Sequence, residues 1–181
     1  MKTCLVGCGG IAAVHGSVLT SDIDTEFVAA ADIKPKKAQT YAENFHTKPY
    51  PSLESMLEAE KPDVLHICTP HYLHVPMAIY SLERNINVFM EKPPAISFDQ
   101  LEELKKAAAK SEAQLGFCYQ NRYNASIRAA KDLIDSGKAG KVLGARAFVT
   151  WCRGAAYYTE SGWRGSLKTE GGGVLINQSV H

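Results

Sequence analysis

An excess of charge of one sign is missing from this sequence. Twenty lysines and arginines face nineteen aspartates and glutamates over 181 residues, a formal net charge of +1. That balance gives no general attraction to nucleic acid or to an anionic membrane surface. Long hydrophobic runs are missing too, since no stretch approaches the ~20 apolar residues that span a bilayer. The opening residues MKTCLVGCGG hold no apolar segment of ~7–15 residues, so they read as a first strand rather than a signal peptide. No C-x-x-C occurs among the five cysteines, Cys4, Cys8, Cys68, Cys118 and Cys152. Their odd number and the apolar runs around several of them point to reduced thiols in a cytoplasmic protein, not to a disulfide frame. No cysteine has a histidine or lysine beside it in a nucleophile setting. His15, His46, His66, His71 and His74 are scattered without the spacing of a zinc site, so no metal is expected. Internal repeats and low-complexity tracts are absent.

What is present is a rhythm. Apolar runs at 2–7, 27–32, 63–68, 87–90 and 114–118 are too short for typical helices and too continuous for half-exposed strands. Between them lie helical patterns at 11–19, from Pro35 through Phe45, after Ser52, at 75–84, and from Ser97 to Lys110. Pro35 suits a first helical turn, and Ser52 and Ser97 suit helix caps, the latter with Gln100 at the box position. Residues 49–51 read as a turn or a very short strand. Strict alternation of buried strand and helix predicts an α/β fold, a doubly wound parallel sheet covered on both faces.

After about residue 120 the rhythm changes. Residues 125–136 pattern as one amphipathic helix with Ile127, Ala130, Leu133 and Ile134 toward a core, and residues 142–151 alternate in part, as in a half-exposed antiparallel strand. One helix and one strand cannot make a second core, because a strand with an apolar face needs sheet partners. The reading is therefore a first domain over 1–120 and, over 121–181, the start of an incomplete α+β domain.

Gly7-Cys8-Gly9-Gly10-Ile11-Ala12 follows the first strand and opens a helix. Gly7 permits a tight turn, Gly9 lets backbone approach a pyrophosphate, and the small Ala12 allows close helix–strand packing. Gly10 and Ile11 begin the helix, whose free N–H groups favour phosphate. The second strand closes on Asp32, placed to accept hydrogen bonds from ribose hydroxyls. A carboxylate there favours NAD over a 2′-phosphorylated cofactor, although Lys34, Lys36 and Lys37 keep NADP open. Thr69-Pro70 and Glu91-Lys92-Pro93 each end a strand on the edge where open parallel sheets bind ligands. Lys92 is thereby aimed at the cofactor.

The segment CTPHYLHVPMAIYSLERNINVFMEKPPA, together with the glycine loop, Asp32, residues 119–123 and the late G-G-G-x-L run ending in His181, resembles the Gfo/Idh/MocA oxidoreductases. The resemblance extends over the whole sequence, whose relatives are usually about twice as long. It implies a Rossmann-type NAD(P)-binding domain and hydride transfer between the nicotinamide and a carbohydrate-like alcohol, a sugar or polyol. By resemblance Lys92 holds the reacting hydroxyl, His181 is the general acid/base, and the Lys92–Pro93 bond is cis, which would fix how the lysine enters the cleft. It further implies that His74 and Glu91 brace the cofactor site and that Asn121 touches the nicotinamide. Arg122, Trp163 and Arg164 are then substrate contacts, and a homo-oligomer forms through the C-terminal domain. Many relatives carry aspartate four residues before the histidine, and here it is Asn177. On a helix the two would share a face, but asparagine supplies no negative charge to an imidazolium. A dinucleotide-binding module without turnover is the alternative reading.

Overall fold

The computed structural model describes residues 1–181. Six parallel strands form one sheet in the order β3-β2-β1-β4-β5-β6. They are β1 (Lys2–Val6), β2 (Glu26–Ala31), β3 (Lys48–Tyr50), β4 (Val64–Ile67), β5 (Asn87–Glu91) and β6 (Leu115–Cys118). The intervening helices are α1 (Gly10–Ser21), α2 (Pro35–Phe45), α3 (Leu53–Glu60), α4 (His74–Leu82) and α5 (Phe98–Lys110). The segment read as turn or short strand is β3, which pairs in parallel with Ala29, Ala30 and Ala31.

Side chains alternate across a strand, so each strand feeds two cores. Cys4, Val6, Ala29, Ala31, Leu65, Ile67, Val88 and Met90 pack with Leu53, Met56 and Leu57 of α3, Val75, Ala78 and Leu82 of α4, and Leu104 of α5. The intervening residues Leu5 and Ala30 pack on the other face with Ala12 of α1 and Tyr41 of α2. The continuous apolar runs are explained by this double burial. Two helix starts form as the sequence predicts. Ser52 Oγ accepts from Ser55 N at 3.1 Å and Ser97 Oγ from Gln100 N at 3.2 Å, while Gln100 Oε1 accepts from Ile96 N.

Strand order reverses between β1 and β4, and in doubly wound sheets the ligand crevice lies at that reversal, beyond the carboxyl ends. Gly7 and Cys68, which end the two strands, are in close apposition there. Gly7 N donates to Ala31 O and Cys68 N to Val6 O.

The last third departs from expectation in two places. Residues 142–151 form no strand; they are irregular and exposed, with Leu143 at 90 % and Phe148 at 81 % exposure. No strand of the sheet pairs with them, and an isolated extended segment leaves its backbone groups to water. Helix α6 (Ala125–Asp135) does form, but it has no core beneath it. Ile127, Leu133 and Ile134 are each about half exposed, and Ala130 is exposed as well. The periodicity was present without a partner to bury it. Beyond α6 lie three short helices, α7 (Ala155–Thr159), α8 (Leu167–Glu170) and α9 (Val174–Asn177). They fold back over the crevice, α8 against the 3₁₀ turn His71–Leu73. No helix is long and apolar enough to cross a membrane.

Candidate functional site

A cleft of about 550 Å³ opens at the strand-order reversal. One wall is the glycine loop. Gly7 has φ +93°, and a Cβ there would lie 2.8 Å from the Cys68 carbonyl carbon and oxygen. Only glycine fits this backbone without displacing a strand. At Gly9 and Gly10 the space a Cβ would take is open to the cleft, with nothing within 4 Å. No side chain caps α1, so the N–H groups of its first turn are free for an anion.

Asp32 stands beside this loop. Its Oδ2 accepts from Cys8 N at 3.0 Å and its Oδ1 from Lys34 N at 2.8 Å. Each oxygen keeps a lone pair for a ribose hydroxyl. Burial, then the Asp32 charge, pushes the Cys8 thiol up to about 12, so Cys8 is a neutral wall residue. Ile11, Lys34, Lys37, Thr69 and Pro70 complete this half, and Lys36 does not line it. The buried Thr69 Oγ1 has no hydrogen-bond partner, an open polar position facing the place a dinucleotide would occupy. Gly loop, bare helix terminus, paired carboxylate and orphaned hydroxyl together fit such a cofactor.

The other half is built around Lys92, at the end of β5. The Lys92–Pro93 peptide is cis. Lys92 Nζ donates to Asn177 O at 2.6 Å and to Asn177 Oδ1 at 3.0 Å. The ammonium carries three N–H groups, so one is left for a ligand in the cleft. Burial lowers the Lys92 pKa from its ordinary value; Glu91 opposes that shift and Arg164 adds to it. Asn177 in turn donates through Nδ2 to Glu170 Oε1 and to Tyr157 OH. Glu170 is 3 % exposed, and its second oxygen accepts from Gly165 N at 2.6 Å. The chain Lys92–Asn177–Glu170 thus runs from cation through a dipole to anion. A buried amide so placed has one stable orientation.

Asn177 and His181 do not share a helix face. Helix α9 ends at Asn177, the next three residues are a turn, and the Asn177 amide is used by Glu170 and Tyr157. Both residues still reach the cleft. His181 Nδ1 is buried without a partner, and the ring packs near Trp151 at 5.8 Å. Burial and the Lys92 charge lower its pKa, which favours the neutral imidazole, a proton acceptor.

A matching model of the "Oxidoreductase family, NAD-binding Rossmann fold" covers residues 1–119. The chain belongs to the Gfo/Idh/MocA family. A second model, the GFO/IDH/MocA C-terminal domain, covers residues 127–181. Among curated relatives, the D-glucoside 3-dehydrogenase of Escherichia coli is 28 % identical over 185 residues, covering 100 % of this chain and 51 % of that protein. The WlbA dehydrogenase of Chromobacterium violaceum, solved with NADH and UDP-GlcNAcA, superimposes with a TM-score of 0.91 at 32 % identity, over 100 % of this chain and 52 % of that one. Its Bordetella pertussis counterpart gives 0.89 at 30 % identity, over 98 % and 54 %. The chain therefore spans about half the length of these relatives.

Within this Gfo/Idh/MocA cleft stand nearly all the residues singled out in the sequence: Gly7, Gly9, Gly10, Ile11, Asp32, Thr69, Pro70, His74, Glu91, Lys92, Trp163, Arg164, Asn177 and His181. Asn121 and Arg122 are not brought to it. They lie in a 3₁₀ turn after β6, where Arg122 is exposed and the neighbouring Gln120 faces the cleft instead. His74 is fully buried, with Nδ1 2.9 Å from Pro93 O and Nε2 2.9 Å from Thr69 O. It ties the two strand-end motifs together. Burial lowers its pKa, while the contacts with the Pro93 and Thr69 carbonyls act in the opposite direction.

Several functional neighbours were not legible. Two of the scattered histidines come together beside Glu91. His15 of α1 meets Glu91 through Nε2 at 3.0 Å and His66 of β4 through Nδ1 at 2.9 Å. Cys118 completes a group with His15 and Glu91 whose polar atoms lie within 4.8 Å of one another. Burial lowers His66 to about 4, so that ring is neutral. Burial acts to raise the Glu91 carboxyl, but the His15 hydrogen bond and charge, with Cys118 and Lys92, hold it below its ordinary value. Glu91 is thus an anchored carboxylate behind Lys92. Burial pushes the Cys118 thiol up to about 12.

Glu170 had no signal at all, since a lone glutamate before a glycine run resembles any surface residue. Its two oxygens receive two donors, Gly165 N and Asn177 Nδ2, so the site requires an acceptor-only group. A glutamine offers one acceptor and sets its NH2 against the other donor. Glu170→Gln is expected to destabilise the protein by about 1–3 kcal/mol, read as a lowered urea midpoint at constant slope. An unchanged midpoint would mean that both donors find acceptors elsewhere.

Proposed function

We propose that this chain carries the cofactor site and the reacting groups of an NAD(P)-dependent oxidoreductase acting on a CH–OH group of a sugar, polyol or related hydroxyl compound. The observation that carries the reading is the convergence of Lys92 and His181 on the same cleft as Gly7 and Asp32. When bound, the nicotinamide supplies the acceptor for the hydride leaving the carbinol carbon. The third N–H of Lys92 holds the hydroxyl oxygen and stabilises negative charge developing on it. The neutral His181 accepts the hydroxyl proton, and returns it in the reverse direction. Glu170 and Asn177 fix the lysine and supply, one link removed, the carboxylate that Asn177 itself lacks. The sugar-directed activities of relatives named as D-glucoside 3-dehydrogenase and glucose-6-phosphate 3-dehydrogenase support the substrate class. So does the UDP-GlcNAcA held with NADH in the WlbA structures. Asp32 makes NAD the preferred coenzyme, with Lys34 and Lys37 as the groups that would receive a 2′-phosphate.

The test has two stages. Fluorescence titration with NADH is expected to show saturable binding, and a panel of sugars and polyols is then screened for NAD reduction. Binding without turnover on any panel member would favour the non-catalytic module. Absence of binding to either coenzyme would remove the oxidoreductase reading altogether.

A further inference from the structure

The face of the sheet under α1 carries polar groups where a covered sheet ordinarily carries apolar ones. Leu5 pairs with His66, His66 with Phe89, and Glu91 with Cys118 across neighbouring strands. Side chains alternate along a strand, so these five stand on one face, while Ile67, Met90 and Phe117 join the core on the other. His15 of α1 comes down onto the row, with Nε2 3.0 Å from Glu91 Oε1 and Nδ1 2.9 Å from His66 Nδ1. Phe89 flanks both imidazoles, its ring centroid 6.0 Å from that of His15 and 5.1 Å from that of His66. Gly116 leaves room for this ring, since a Cβ there would lie 3.2 Å from Phe89 Cδ2.

A carboxylate and two imidazoles taken out of water cost free energy that apolar residues would not. No local spacing announces the group, because positions 15, 91 and 118 come from α1, β5 and β6. Yet His15, Glu91 and Cys118 each offer a ligand atom within 4.8 Å of the other two. The ligands of a four-coordinate zinc stand about 3.3–3.8 Å apart at zinc distances of about 2.0–2.3 Å, so side-chain adjustments of about 1 Å seat an ion. Thiolate and carboxylate together bring two negative charges. They cancel a divalent cation, and the loaded site is neutral where uncompensated charge is costly. His66 on the far nitrogen of His15 is the kind of outer partner that orients a metal-binding imidazole. Cys118 is only half-buried, Gln120 Oε1 lies 3.9 Å from its Sγ, and Gln120 and Glu91 both line the cleft. An ion can therefore enter from the cleft, with its fourth position left to Gln120 or water.

We propose that His15, Glu91 and Cys118 form a binding site for one borderline-soft divalent cation of the zinc type. The site needs neither coenzyme nor substrate, and it stands or falls apart from the oxidoreductase reading. Ligation displaces the Cys118 thiol proton. His15 gives its Nε2 lone pair to the ion and keeps its one proton on Nδ1, donated to His66 Nδ1. Nitrogen and sulfur donors select against magnesium and calcium, which take oxygen ligands.

Equilibrium dialysis of the reduced protein against Zn²⁺, with Mg²⁺ as the comparison, and an absorbance titration with Co²⁺ test this. One zinc per chain is expected, held about 100-fold or more tightly than magnesium. Cobalt is expected to give a thiolate-to-metal charge-transfer band in the near ultraviolet, which zinc abolishes by displacement. Cys118→Ser should remove the band, and both it and His15→Gln should weaken zinc about tenfold or more. His66→Phe, which takes away only the outer partner, should lose about 10–100-fold. Cys152→Ser alters an exposed thiol outside the group and should keep the band and the stoichiometry. Near-ultraviolet circular dichroism checks the fold of each variant, and two ligand variants are made so that either one that folds decides. No zinc retained by the parent protein, magnesium held equally well, or no thiolate band overturns the inference. So does a band that survives in Cys118→Ser, zinc affinity unchanged in His15→Gln, or a band lost in Cys152→Ser, which reassigns the metal to the exposed thiol.

Discussion

Lys92→Ala is expected to leave NADH affinity within a few-fold of the parent and to lower turnover by about 10²–10⁴-fold. The separation follows from position. The cofactor wall is made by Gly7, Gly9, Gly10 and Asp32, whose contacts run to Cys8, Lys34 and the ends of β1 and β4. None of them involves Lys92. The ammonium instead sits on Asn177, with one N–H free. Its removal takes away the cation that rests on Asn177, and leaves the Asn177 carbonyl and Oδ1 without their donor. A secondary loss of about 1–3 kcal/mol in stability should accompany it. Steady-state kinetics at saturating NAD, paired with NADH fluorescence titration, reads both quantities. Turnover that survives unchanged would take Lys92 out of the chemistry, and a parallel collapse of NADH binding would mean the two halves of the cleft are not separable.

Gly7→Ala should act on the opposite wall and through the backbone. At φ +93° an L-residue costs about 1–2 kcal/mol on its own. The added methyl would also lie 2.8 Å from the Cys68 carbonyl group and from Thr69 Cγ2. Those atoms cannot yield cheaply. Cys68 N is bonded to Val6 O, Gly7 N to Ala31 O, and β1 pairs with β4 through the register from Thr3↔Val64 to Val6↔Ile67. The combined expectation is about 2–4 kcal/mol of lost stability and a tenfold or larger loss of NADH affinity, since the loop that meets the pyrophosphate must shift with β1. Denaturant unfolding and coenzyme titration measure the two effects. A variant with parental midpoint and parental affinity would show that the turn relaxes freely, and would remove the close approach of β1 and β4 as the reason for glycine.

These two residues, and Asp32 with them, could be singled out before any coordinates because their chemistry is announced locally. A glycine between an apolar run and a helix, a carboxylate closing the second strand and a lysine closing the strand before two prolines are all read along the backbone. Parallel sheets require that such strand ends share one edge. Asn121 and Arg122 mark the limit of that reasoning. They too follow a strand on the active edge, yet the 3₁₀ turn after β6 presents Gln120 to the cleft and leaves Arg122 in solvent. A strand end fixes where the backbone is, and not which of the next four side chains turns inward. Residues 142–151 show the same limit for secondary structure, where alternation without a neighbouring strand produced no strand.

The sequence by itself determined the doubly wound sheet, the glycine turn at Gly7 and the shared edge of Asp32, Thr69 and Lys92, because each depends on periodicity or on one residue's backbone requirement. Tertiary structure alone decided that Asn177 spans Lys92 and Glu170, that His15 joins His66 to Glu91, and that Tyr157 and Trp163 hold Arg164. Those contacts join residues up to 85 positions apart, and most of them are made by side chains that local sequence pattern leaves free. They exist because buried donors and acceptors must find partners once the sheet and its covering helices have excluded water.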